Sequence, residues 1–135
     1  MEKIIRIAEV FGVKLSEDSW RSFEGFEIMT DSQKIQILIS DQESCCENYG
    51  QLCSEDDFSK FIGATLNSIT TTDTSLMTEK VGESDYYSDD GGGIIFVNLE
   101  TSEGTLQFAV YNSHNGYYGH SVRIISNQLN LEDSL

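Results

Sequence analysis

GGGIIFVNLETSEGTLQFAVYNSHNGYYGHSVRII, residues Gly91–Ile125, decides the fold class. Its apolar residues alternate as they do in an extended chain. Ile94, Phe96 and Asn98 point one way and Ile95, Val97 and Leu99 the other, and the alternation resumes through Leu106, Phe108 and Val110. β-Branched and aromatic residues dominate and proline is absent, as suits strands. Thr101-Ser102-Glu103-Gly104 reads as a tight turn, with Gly104 fitted to the left-handed position that closes it. The second connection, Ser113 to His120, carries two tyrosines and two histidines around an Asn-Gly pair that could close a hairpin alone. Surplus chemistry on a loop points to function. The stretch therefore predicts three strands joined by two short turns.

Phe23–Met29 and Lys34–Ser40 read as a second hairpin across Thr30-Asp31-Ser32-Gln33, with Phe26, Ile28, Ile35, Ile37 and Ile39 on its buried face. Ala64–Thr74 is threonine-rich and predicts a further strand. Glu2–Phe11 places Ile4, Ile7, Ala8 and Phe11 at helical spacing and ends at Gly12, which predicts an N-terminal amphipathic helix. Ser54-Glu55-Asp56-Asp57 reads as the capped start of a short helix through Ile62, with Phe58, Phe61 and Ile62 on its buried side. Residues 41–52 show no period and read as a loop. Residues 76–90 read as a long exposed acidic loop, and 127–135 as a flexible acidic tail. The expectation is one α+β domain over residues 1–135: helical extension 1–20, core 23–125, and a mainly antiparallel sheet of five to seven strands.

The chain has 135 residues and a formal net charge of −15. Between Ile35 and Val122 fourteen acidic residues face only Lys60 and Lys80. Such a surface repels nucleic acid and anionic membranes and attracts a basic protein groove; solubility alone is the plainer account. No apolar run approaches the roughly 20 residues that span a bilayer, and the N-terminus is a poor signal peptide. An odd cysteine count with two adjacent thiols argues against a disulfide framework. Together these predict a cytoplasmic protein.

Four constellations can carry chemistry. Cys45, Cys46, Cys53, His114 and His120 are competent zinc ligands, with Cys46, Cys53, His114 and His120 the set to consider, but no C-x-x-C pair is present. Cys46 with His114 or His120, oriented by Glu47 or Asn115, has the groups of a thiol hydrolase but no helix start to activate the thiol. Glu55-Asp56-Asp57 and the acids of Asp85–Asp90 suit a helix first turn and a solvated loop better than converging catalytic carboxylates. Tyr49, Tyr86, Tyr87, Tyr117 and Tyr118, set near Asp89, Asp90 and other acids, form a recognition surface for Arg- or Lys-rich partners.

Gln42 with Ser44-Cys45-Cys46-Glu47, the run SEDDFSKFIGA (54–64) and Asn115-Gly116-Tyr117-Tyr118 resemble the hallmarks of a family of small uncharacterised proteins of phages, prophages and mobile elements of Gram-positive bacteria. The resemblance covers about Phe23 to Ile125. It implies a mobile-element setting in a bacterial host cell and no particular activity. The expected function is binding of a basic protein partner without a cofactor. The sharper form is an inhibitor that occupies the groove of a host nuclease or other nucleic-acid-binding defence enzyme by DNA mimicry, in the manner of anti-CRISPR proteins. The alternative is a small-ligand- or zinc-binding module built from the Cys-Cys-Glu loop and the NGYYGH turn.

Overall fold

The computed structural model describes residues 1–16, 20–41, 47–86, 91–114 and 119–135; of Glu47, Gly91 and His114 it describes the backbone. Most of the described residues are in strands, and among them no helix reaches seven residues. The α+β expectation is therefore corrected to an antiparallel β fold. The described residues form nine strands rather than five to seven: β1 (Ile4–Val13), β2 (Phe23–Thr30), β3 (Lys34–Ser40), β4 (Glu47–Cys53), β5 (Leu66–Thr72), β6 (Gly91–Thr101), β7 (Gly104–His114), β8 (Ser121–Ile125) and β9 (Leu131–Ser134). The single α-helix among them is the short α1 (Thr78–Glu83). None is long and apolar enough to cross a membrane.

The strands form a five-stranded sheet in the order β1-β2-β3-β8-β9 and a four-stranded sheet in the order β4-β7-β6-β5. The inner faces share one core. Ile4, Ile7, Phe26, Ile28, Ile35, Ile37, Ile39, Val122 and Ile124 come from the first sheet, and Leu66, Ile69, Val97, Leu99, Leu106, Phe108 and Val110 from the second. Phe26 meets Phe108 across the interface with ring centroids 4.8 Å apart. Lys3, just ahead of β1, bridges to Thr65, just ahead of β5. Further along β1, Glu9 accepts a hydrogen bond from Gln51 of β4 at 3.0 Å. Because β5 and β4 are opposite edges of the second sheet, β1 runs across that sheet and the strands of the two layers cross.

The N-terminal helix is overturned by a β-bulge. Ile4 pairs with Thr30 but Arg6 with Met29, so Ile5 is an extra residue. A strand normally returns to one face every second residue; one inserted residue makes that interval three. Ile4 and Ile7 thus both face the core while Phe11 is 65 % exposed. Gly12, at φ +65°, lies in a second irregularity between Val10 and Val13 and does not end a helix. The central helix shrinks to one 3-10 turn, Ser59–Phe61. Ser54 does not cap it: its hydroxyl accepts the Gln107 N–H at 3.0 Å, while Asp57 accepts the Ser59 N–H at 3.0 Å. Phe61 is buried and Ile62 lies 45 % exposed.

The 23–40 hairpin and the 66–72 strand form as expected, as do the two long strands of the opening stretch, with Gly104 at φ +111° in their turn. The third, β8, leaves that sheet and pairs with β3 in the other. Residues 47–53, read as loop, form β4 on β7, and residues 131–134, read as tail, form β9 on β8.

Candidate functional site

Of the sequence-nominated segments, the described backbone ends Glu47 and His114 lie at one end of the second sheet. Glu47 opens β4, Gly91 opens β6 and His114 closes β7, and His114 is in register with both Glu47 and Gly91. Glu47, Gly91 and His114 therefore stand at three adjacent strand ends. Cys45, Cys46, Tyr87, Asp89, Asp90, Asn115, Gly116, Tyr117 and Tyr118 lie outside the described residues. Glu47 and His114 are placed by their backbone alone.

The described candidates separate. Cys53 ends β4, six residues from Glu47, which places it about 20 Å from the His114 end at the usual strand rise. It does not join His114 around one ion, and no group of three or more His, Cys, Asp or Glu residues suited to a metal occurs among the described residues. The Cys53 thiol is buried, and burial pushes it up to about 11, which suits an inert core thiol rather than a nucleophile.

His120 is fully buried between the sheets. Its ring stacks on Tyr49 at 4.3 Å, and the Tyr49 hydroxyl donates to the Asp41 carbonyl at 2.9 Å. His120 Nδ1 faces the Ser40 carbonyl oxygen, with Ser40 Oγ at 3.3 Å. A carbonyl can only accept, so Nδ1 carries the hydrogen and is not placed to take a proton from the Ser40 hydroxyl. The His120 amide donates to the Leu135 carbonyl at 2.9 Å and Asn112 Nδ2 donates to the same oxygen at 3.0 Å. This network ties the end of β3, the edge strand β4 and the last residue together, and its histidine works as a satisfied core residue.

Tyr86 meets Tyr111 edge-on at 5.8 Å, and the Tyr111 hydroxyl donates to Asp85 at 2.5 Å. Burial raises the Tyr111 phenol above its usual range, and the Asp85 contact adds to the rise. These contacts hold residues 73–86 over the outer face of the second sheet. Met77 and Val81 of that strap pack on Phe96 and Ala109. Fully buried Gln107 pins it: its side chain accepts the Leu76 N–H at 2.7 Å and donates to the Thr74 carbonyl at 2.9 Å and to Asn98 at 2.8 Å.

Sequence reading missed one concave feature. A cleft of about 470 Å³ opens between β1, β4 and α1. Phe26, Leu52, Cys53 and Phe58 supply its apolar lining, and Glu9, Glu55, Asp56, Glu83 and Lys80 its charge. Lys80 Nζ donates to the Cys53 carbonyl at 2.8 Å and to Asp56 at 2.5 Å. Glu9 was hidden by the helical reading of β1, and Lys80 by the loop reading of 76–90. The lone lysine of an acidic stretch was the one available signal.

The charge asymmetry of the sequence becomes an asymmetry between sheets. Residues 47–114, which build the four-stranded sheet and its turns, hold twelve acidic residues against Lys60 and Lys80. Glu55, Asp56, Asp57, Asp73, Glu79, Glu83, Asp85 and Glu103 are all exposed. The other six Lys and Arg residues, Lys3, Arg6, Lys14, Arg21, Lys34 and Arg123, belong to or flank the strands of the first sheet.

No curated protein and no solved structure matches the chain. The family model of DUF7448, a domain of unknown function, matches residues 2–124, and the chain belongs to that family.

Proposed function

We propose that this protein acts by binding a basic protein partner through its four-stranded sheet, in the cytoplasm of a bacterial host. The observation that carries the reading is the set of eight exposed carboxylates among the described residues 55–103, offset by Lys60 and Lys80. Electrostatic attraction of this kind steers encounter and selects partners of opposite charge. The motif resemblance to phage and mobile-element proteins supports the sharper form, an inhibitor of a host nuclease or other nucleic-acid-binding defence enzyme, with carboxylates standing in for phosphates. The test is competition with duplex DNA for a purified nuclease of the host's defence systems, repeated from low to high ionic strength. The reading expects displacement of DNA that weakens steeply with salt. A complex indifferent to ionic strength would sink it.

A second reading, a small-ligand- or zinc-binding module using the Cys-Cys-Glu loop and the NGYYGH turn, is supported by the direct pairing of Glu47 with His114. Its test is metal content of the purified protein: stoichiometric zinc lost on Cys46→Ser favours it, and zinc-free protein with unchanged stability removes it.

A further inference from the structure

We infer that the cleft between β1, β4 and α1 is the receptor for one basic side chain, arginine or lysine, of the partner. The inference rests on the acidic-docking reading above and gives it an address. A long basic side chain has two demands: an apolar surface for its stem and acceptors for its head. Phe26, Leu52 and Phe58 meet the first, and Glu9, Glu55, Asp56 and Glu83 meet the second. The volume, about 470 Å³, is within the usual range of ligand pockets and larger than an ion requires.

The chain supplies its own precedent. Lys80 reaches into this cleft and its ammonium is held by two acceptors, the Cys53 carbonyl at 2.8 Å and Asp56 at 2.5 Å. Cys53 ends the edge strand β4, and its carbonyl is turned to Lys80. The cleft thus already binds a lysine head group. With Lys80 paired to Asp56, the lining retains three further carboxylates, Glu9, Glu55 and Glu83, and no second cation. An incoming guanidinium or ammonium can pair with these or displace Lys80 from Asp56. An anionic occupant meets the opposite balance.

Lys80 makes the test directional, because it is a competitor. Titration of a short peptide of alternating Arg and Gly, followed by amide NMR shifts, is expected to move Gln51–Cys53 and Lys80–Ser84. Lys80→Met should tighten binding by about two- to fivefold, as removal of one exposed ion pair allows. Lys60→Met makes the same charge change outside the lining, over the Phe61 ring, and should have a smaller effect. Glu83→Gln should weaken binding. It is an exposed position, so it carries the test even where the Lys80 variant loosens α1. If Lys60→Met and Lys80→Met act equally, or the peptide binds with shifts elsewhere and ignores Glu83→Gln, the cleft assignment falls while acidic docking stands. If the peptide does not bind at low salt, both fall.

Discussion

The two sheets bury both faces of their central strands, but by different means. In the first sheet, Leu38 of β3 turns away from the shared core and is covered by Leu15 and Phe23, with Val10, Val13 and Ile125 around them. That cover is an apolar plug, non-directional and tolerant of small shifts. In the second sheet, the outward residues of β7 include Gln107 and Tyr111, and both are buried. Their cover is fixed by hydrogen bonds from Gln107 to Leu76 and Thr74 and from Tyr111 to Asp85. Directional bonds set where the strap lies. The strap carries Asp73, Glu79, Glu83 and Asp85, so the sheet with a polar pin is also the one that presents charge in a defined arrangement.

The severest lesions in both sheets are at glycines. Each sheet has a glycine inside a strand where a side chain would collide. At Gly25 of β2 an added Cβ would lie 2.0 Å from the Ile37 carbonyl oxygen, and φ is +152°. Backbone cannot swing aside, so Gly25→Ala should cost about 3–5 kcal/mol of stability. At Gly50 of β4 the obstacle is the Tyr111 hydroxyl at 2.7 Å, the far end of a side chain. Rotation of that ring sacrifices the Asp85 bond and about 1–2 kcal/mol. Urea unfolding of the two variants measures both. Equal losses would mean that the second sheet's outer cover is as rigid as the first sheet's backbone ladder.

Gln107→Ala removes the polar pin of the second sheet. It strips partners from the Leu76 N–H, the Thr74 carbonyl and Asn98 at once. Leaving these part-buried polar groups unpaired costs about 2–4 kcal/mol in total. The loss should be local as well as global: hydrogen exchange should quicken at Leu76, Met77 and Val81 well beyond the change in β2 and β3. Leu38→Ala, the matching lesion in the plug, should cost a similar amount but spread its effect over the first sheet. Uniform acceleration in both variants would show that the strap is not separately pinned.

What the sequence revealed follows the same divide. The β2–β3 hairpin and the β6–β7 pair were legible because their alternation is uninterrupted and their turns carry turn residues. β1 was not, because one bulged residue converts a spacing of two into a spacing of three, and Ile4 to Ile7 then reads as helix. β4 was not, because Glu47-Asn48-Tyr49-Gly50 has poor strand propensity; pairing with β7 overrides it. The meeting of Glu47, Gly91 and His114 at one end depends on β4 and β6 flanking β7, a long-range pairing that no local pattern encodes. The cleft was invisible for a related reason. Its walls come from β1, β4 and α1, three elements read as helix, loop and loop. Gln107 looked like one polar residue in a strand, and nothing local marks it as a pin.

The mildest change concerns the buried Cys53 thiol at the end of β4. Burial raises the Cys53 thiol from its ordinary 9.0 to about 11, and raises the Tyr111 phenol in the same sense. A raised value means that the folded state favours the neutral thiol. The associated stability is therefore complete below pH 9 and is lost as pH climbs toward 11, because the unfolded chain ionises first. Urea midpoints of wild type and Cys53→Ala at pH 8 and pH 10.5 isolate the thiol, since Tyr111 titrates identically in both. The difference between the two proteins should narrow at the higher pH as the wild type loses the advantage of its neutral thiol. A difference that stays constant across that interval would mean that Cys53 meets water in the cleft. Its position at the cleft wall would then be a route for solvent rather than part of a dry floor on which a basic side chain can rest.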